Sequence, residues 1–344
     1  MSNKAAYLLA AKAHPFKVDD APMPTPDAYE VVIKNHAVAI NPVDWKIQDW
    51  DGVFKSYPVI LGSDVAGEIA AVGSAVEKFK IGDRVIANMD GLGNQKQTNA
   101  GFQLYSATTE KMVAKLPSGI SYADGAVLPI GLGTAAAGLF QKTTLDLPYP
   151  QLDVKPNGQI LLIWGGSSSV GSGAIQLAKA AGFEVAATAS SRNHGYLKDL
   201  GAAYIFDQSS ANVVDEIVEV LKGKDFAGVF DAISTNETIA LSAQIASSSS
   251  LEGKRFVCDV NPPWEPLPKG LPENVKFGHA MQLDINTNEV GKAVWGEWVT
   301  PALEKGLLRC KPNPRIIGHG LEKIQVGVDE LRKGVSAEKL VITL

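Results

Sequence analysis

One stretch, ILLIWGGSSSVGSGAIQLAKAAG (residues 160–182), constrains the fold more than any other: an apolar strand-like run enters a turn of small residues that opens directly into a helical pattern. Gly166, Ser168 and Gly171 occupy the three positions of a G-x-G-x-x-G fingerprint, with serine in the middle position and Ser167, Ser169 and Val170 filling the turn between them. Short side chains there let backbone N–H groups and the helix N-terminus approach a pyrophosphate. Around this turn the strand GQILLIW is followed by a helix, the strand FEVAATA, the helix SRNHGYLKDLG, and then AAYIFD, VDEIVEVLKG, AGVFDAI, ETIALSAQIA and RFVCDV. Such alternation predicts right-handed βαβ crossovers, a doubly wound parallel sheet, and any ligand at the carboxyl ends of its strands.

Upstream the pattern is different. Residues 1 to about 128 read as short β segments broken by turns, among them YEVVIKNHAVAI, VAGEIAAVG and RVIAN after a Gly-Asp turn, which predicts an all-β, barrel-like domain. From about 129 the Ala/Gly-rich LPIGLGTAAAGLF leads into the βα repeats. After about 288 the segments KAVWGEWVTPALEKG, EKIQVGVDELRKG and EKLVITL leave that rhythm and are expected to return to the first domain. The expected organisation is a β domain of residues 1–128 and 288–344, with the parallel-sheet domain 129–287 inserted in it. A length of 344 residues suits two such cores.

Composition narrows the partners. A net charge of -5 with no dense Lys/Arg run argues against nucleic acid, whose binding relies on clustered cations. The opening MSNKAAYLLAAKAHPF lacks the form of a signal peptide and no later segment is expected to reach membrane-spanning length, so a cytoplasmic protein is expected. Cys258 and Cys310 form no CxxC pair, which excludes a disulfide framework and a four-cysteine zinc site; the five histidines, His14, His36, His194, His279 and His319, are scattered without metal-ligand spacing and are expected to be structural.

The end of the second strand of the parallel sheet indicates the cofactor. An acidic residue there would bind a ribose 2'-hydroxyl and repel a 2'-phosphate, but the sequence reads Ser190, Ser191, Arg192, with Tyr196 one helical turn beyond. Two hydroxyls and a guanidinium favour NADPH over NADH.

With these residues in view, the chain resembles the medium-chain dehydrogenase/reductase superfamily along essentially its whole length. The resemblance lies in INPVDWK (40–46), YPVILGSDVAGEIAAVG (57–73), FKIGDRVIA (79–87), LPSGISYADGAVLPIGLGTAAAGL (116–139), the GGSSSVG turn and VSAEKLVITL (335–344). It implies a Rossmann-type domain inserted into a GroES-like β-barrel, in the zinc-free quinone and enoyl reductase branch, and NPVDWK with GGSSSVG is most similar to fungal trans-acting enoyl reductases of polyketide pathways. The superfamily's zinc alcohol dehydrogenases carry Cys and His where this chain has Asn41 and Ser63, both poor zinc ligands.

What the resemblance implies for the site follows. Lys46 is the candidate to polarise a carbonyl, because related enoyl reductases place a Lys there, and Tyr57 is a secondary donor. Asn41 and Asp44 would shape the nicotinamide site, Asp44 through direct contact or a turn bond; Thr134 would lie near the carboxamide and Lys339 would contact the cofactor. Trp45, Trp50, Phe54 and Tyr57 could line an apolar substrate cleft. Without a Lewis-acid metal, hydride addition suits conjugated carbonyls, enoyl thioesters and quinones, whose developing negative charge donors can stabilise. The competing expectation is a cofactor-binding accessory or sensor protein with no turnover. Monomer and homodimer both remain open, as does association with a polyketide synthase.

Overall fold

The computed structural model describes residues 2–50 and 53–344. Its contacts divide it into unit 1, Met1–Ile130 with Arg309–Leu344, and unit 2, Gly131–Leu308.

Unit 1 is built on antiparallel strands. One sheet runs in the order Asn313–His319, Glu338–Thr343, Glu30–Ala39, Asp64–Val72, Arg84–Asn88 and Val113–Lys115, with Tyr105–Thr109 also paired to Glu30–Ala39. A smaller sheet joins Lys17–Ala21, Asn3–Leu8 and Val59–Ile60. Alternate residues of these strands, including Val31, Ile33, Val65, Ile69, Val85, Ala87, Leu340 and Ile342, are buried in one core. Two registers matter for the site. Ala39 lies opposite Asp64, and Val341 lies opposite Ala39, which carries Lys339 to the level of Asn41 where the long strand ends.

Unit 2 has one parallel sheet of β1 (Gln159–Trp164), β2 (Glu184–Ala189), β3 (Tyr204–Asp207), β4 (Asp225–Asp231), β5 (Phe256–Asp259) and β6 (Lys276–His279), in the order β3-β2-β1-β4-β5-β6. A two-residue strand, Glu252–Gly253, also pairs with β4. The connecting helices are α1 (Ser169–Ala180), α2 (His194–Leu200), α3 (Val213–Leu221) and α4 (Asn236–Ser247). The βα alternation read from the sequence is therefore present, and the order reverses between β1 and β4, the switch point at which such sheets bind ligands.

Two expectations need correction. The second crossing between units falls at 309, not 288: the helical run that includes Lys292–Trp298 and Val299–Glu304 buries Val294, Trp295, Trp298, Val299, Ala302 and Leu303 and stays with unit 2. The end of the βα rhythm was a poor guide because an apolar helix face can serve the same core after the last strand. Also, Tyr122–Phe140 is apolar and long enough to span a membrane by composition, but 78% of its most apolar window is buried inside the protein, as a core helix would be.

Candidate functional site

In unit 2 the turn after β1 is shaped by backbone geometry. Gly165 has φ +76°, in the region that favours glycine, and a Cβ on Gly171 would lie 2.3 Å from the Gly165 carbonyl oxygen, so a side chain there would force the turn open. Ser168 caps α1: its Oγ accepts the Gly171 N–H at 3.0 Å and donates to the Gly165 carbonyl at 2.9 Å. The serine in the middle of the fingerprint is thus a cap. The Ser172 amide bonds the Ser168 carbonyl, which leaves the Ser169 and Val170 amides without an acceptor among the described residues. The Ser169 hydroxyl is likewise buried without a partner. Two orphan N–H groups at a helix start fit a pyrophosphate.

Beside the turn, Gly131 of the helix Pro129–Phe140 has room only for hydrogen, since a Cβ would stand 2.5 Å from Ser169 Oγ. Thr134, half-buried, is the one residue between Gly131 and Phe140 that is not buried.

The expected 2'-phosphate residues follow β2. Arg192 and Ser191 are exposed and Ser190 is half-buried, accepting a bond from Asn193 Nδ2 at 3.2 Å; Asn193 also reaches Ser167 Oγ at 3.3 Å and so ties this corner to the turn. The Tyr196 hydroxyl pairs with Ser172 Oγ at 2.8 Å, which fastens α2 to α1. Sequence reading overlooked Asp207, at the end of the adjacent strand. Its carboxyl is held below the usual range by the Ser209 hydroxyl and amide, with a smaller contribution from the Ser191 hydroxyl, so it shares one of the expected donors.

The helix Pro42–Asp49 of unit 1 carries the INPVDWK residues. Asn41 is the N-cap, Pro42 pre-sets the first helical φ, and Asp44 Oδ2 accepts the Asn41 N–H at 2.7 Å. Asp44, Ile47 and Gln48 form the buried face, while Lys46 is exposed and its ammonium bonds to no described residue.

Behind this helix lies a closed polar cluster. Lys339 Nζ is 2.8 Å from Asp64 Oδ2 and 2.5 Å from Asn41 Oδ1; Asn41 Nδ2 donates to Asp64 Oδ2 at 2.9 Å, and Asp64 Oδ1 accepts the Ile130 amide at 2.6 Å. The three side chains are buried, with Lys339 only 4% exposed. Burial raises the neighbouring Asp44 carboxyl to about 7, and the Asp64 charge adds to that, against the amide of Asn41 and the Lys339 ammonium.

Asn41 and Lys339 are bonded to one another inside unit 1, so they position the loop and are not exposed contacts, while Asp44 makes the turn bond that was one of its two expected roles. The reason is register, which carries the terminal strand's lysine to Asn41. The Tyr57 ring packs edge-to-face on Phe54 at 6.3 Å and its hydroxyl is buried. Phe54 lines a recess of about 10 Å³ beside Asp44 and Ser63, and Trp50 is 53% exposed.

Comparison with known proteins agrees with this geometry. Residues 27–118 match the Alcohol dehydrogenase GroES-like domain and residues 169–250 match the Zinc-binding dehydrogenase family. The trans-enoyl reductase himH of Aspergillus japonicus is 43% identical over 344 residues, covering 99% of this chain and 97% of that protein. Among solved structures, the CurK enoyl reductase is 21% identical with a TM-score of 0.78 over 99% of both chains. The quinone oxidoreductase of Pseudomonas syringae pv. Tomato DC3000 is 23% identical with a TM-score of 0.74 over 100% of both. Fold and turn together define a nicotinamide-dependent oxidoreductase. The chain belongs to the medium-chain dehydrogenase/reductase superfamily, in its enoyl and quinone reductase branch.

One of the matching families is named for zinc, but the residues here do not suit that ion. Where the family's ligands would stand are Asn41 and Ser63, and the Asn41 amide is bonded at both ends, to Asp64 and to Lys339. Among the described residues no group of three or more His, Cys, Asp or Glu is arranged to hold a metal.

Proposed function

We propose that this protein is an NADPH-dependent reductase of conjugated C=C bonds, acting on α,β-unsaturated carbonyl compounds and above all on enoyl thioesters, with quinones as the related alternative substrates. The observation that carries the reading is the turn itself: two orphan amides for a pyrophosphate, flanked by Ser190, Ser191 and the exposed Arg192 with no carboxylate on that loop. The 43% identical relative is named a trans-enoyl reductase, which supports both the thioester substrate and a partner synthase, of polyketide type, that presents it.

The chemistry that a reduced nicotinamide would supply when bound is a hydride for the substrate β-carbon. The C=C π electrons move toward the carbonyl, negative charge gathers on its oxygen, and a proton from solvent completes the α-carbon. The role assigned to Lys46 is to meet that oxygen with its ammonium, an interaction stronger in the charged transition state than in the neutral ground state. Asn41, Asp44 and the Asp64–Lys339 pair hold the helix that carries it. In unit 2 the Ser169 and Val170 amides would hold the pyrophosphate, and Thr134 would face the carboxamide.

The test is NADPH consumption by the purified protein against a panel of enals, enoyl thioesters and quinones. Turnover on an enoyl thioester with a reduced C=C product is expected. NADPH binding without consumption on any member would instead identify an accessory protein.

A further inference from the structure

Away from the phosphate turn, the carboxyl edge of the parallel sheet holds a second polar group. Trp164, one residue before the turn, is in register with Asp231 of β4; Phe230 is in register with Cys258, which sets Asp231 beside Asp259 of β5; and Asp259 is in register with His279 of β6. Asp231, Asp259 and His279 thus end three adjacent strands at one level of the edge.

The chemistry of this row is unusual for plain packing. Asp259 is fully buried, and its Oδ1 lies 2.9 Å from His279 Nδ1 and accepts the Asn261 amide at 2.9 Å. Asp231, also fully buried, spends its Oδ1 on the Ile233 and Ser234 amides at 2.9 and 3.0 Å. Ser234, at φ +59°, ties the ends of β4 and β5 together by donating to the Asp231 carbonyl at 2.8 Å and accepting the Val260 amide at 2.9 Å. Burial pushes both carboxyls above the ordinary carboxylate range. Two buried carboxyls side by side cost folding free energy, and a histidine needed only for packing would not require them.

What the arrangement achieves is a fixed imidazole. With Nδ1 held 2.9 Å from Asp259, the ring orientation is fixed and Nε2 is left for a hydrogen bond of its own; 23% of the His279 side chain is exposed, and Nε2 has no partner among the described residues. The location indicates what it would meet. The pyrophosphate turn follows β1, and Ser190 to Arg192 follow β2 on one side of it; a dinucleotide laid along the edge with its adenosine half over β2 directs its other half over β4, β5 and β6.

We propose that His279 Nε2 hydrogen-bonds the nicotinamide riboside half of the cofactor, at a ribose hydroxyl or the carboxamide, with Asp259 as the residue that positions the ring. The assignment rests on unit 2 binding a nicotinamide dinucleotide. It adds a site residue for that half of the ligand, which the fingerprint at β1 does not reach.

The test compares NADPH with adenosine 2',5'-bisphosphate, which has the adenosine half but no nicotinamide riboside, as titrants of the wild type and of two variants. His279→Asn keeps a donor to Asp259 and removes Nε2; His279→Gln keeps a hydrogen-bonding group near Nε2. His279→Asn is expected to weaken NADPH binding by roughly tenfold with the bisphosphate dissociation constant unchanged, and His279→Gln to restore part of the loss. Unchanged bisphosphate binding also reports that unit 2 is folded. The assignment is overturned if His279→Asn binds NADPH like the wild type, or if it loses both titrants to the same extent, which would make the dyad purely structural. A wild type that binds neither titrant overturns the nicotinamide reading itself, and the assignment with it.

Discussion

In unit 1 the charged groups of the INPVDWK region are buried and bond one another, whereas the carboxyl edge of unit 2 leaves the Ser169 and Val170 amides and His279 Nε2 without partners among the described residues. Both regions are rich in polar atoms near a helix start. The difference shows which of them is available to a ligand: groups saturated inside the protein contribute to stability and positioning, and groups left unpaired at an edge contribute to binding. Lys46 is the informative exception in unit 1, since it shares a helix with the saturated cluster while its own ammonium is exposed and has no partner among the described residues.

Breaking the closed cluster should have the largest effect. Lys339→Ala leaves Asp64 charged and buried with no counter-ion, and is expected to destabilise the fold by about 3–5 kcal/mol in denaturant titration. The double variant Lys339→Met with Asp64→Leu should recover most of that loss, because it removes both charges together. Recovery failing in the double variant would mean that the pair has a role beyond mutual neutralisation.

The same cluster carries a pH dependence. Burial raises Asp44 from an unfolded value near 4 to about 7, so the folded state holds its proton more tightly. The stability this contributes is fully present below about pH 4 and is lost as the pH rises through about 7, to a total of up to about 4 kcal/mol. Asp44→Asn keeps an acceptor for the Asn41 amide and cannot ionise. Its melting temperature relative to wild type should therefore rise across that window, and two parallel curves would contradict the assignment.

Lys46 sharpens the contrast within one helix. Lys46→Ala should lower kcat on an accepted enone or enoyl thioester by roughly two orders of magnitude, with stability and NADPH affinity nearly unchanged. A variant that keeps wild-type kcat would reduce Lys46 to a solvated surface residue.

At the open edge the effect is smaller and falls on binding alone. NADPH should bind at least about tenfold more tightly than NADH, and Arg192→Ala should narrow that ratio without altering the melting temperature, as expected for loss of one charge-assisted bond. Equal dissociation constants in the wild type would count against the 2'-phosphate assignment and would point to the Asp207 carboxyl as the dominant charge at that corner.

Local pattern alone determined the two kinds of domain, the strand, turn and helix at residues 160–182, and the Ser190 to Arg192 corner, because strand and helix periodicity and the steric demands of a tight turn are written in neighbouring residues. The family resemblance marked Asn41, Asp44, Lys46 and Lys339 as residues of interest, but not what each one touches. That was decided by tertiary structure. Lys339 reaches Asn41 across 298 residues of chain through the register of the terminal strand, which turned an expected cofactor contact into an internal ion pair. The Asp259–His279 pair was invisible for the same reason: neither residue is distinctive in its own segment, and only the side-by-side order of β5 and β6 joins them. The boundary at 309 likewise depends on which core the Trp295 and Trp298 helix shares, a property of packing and not of the pattern that makes it helical.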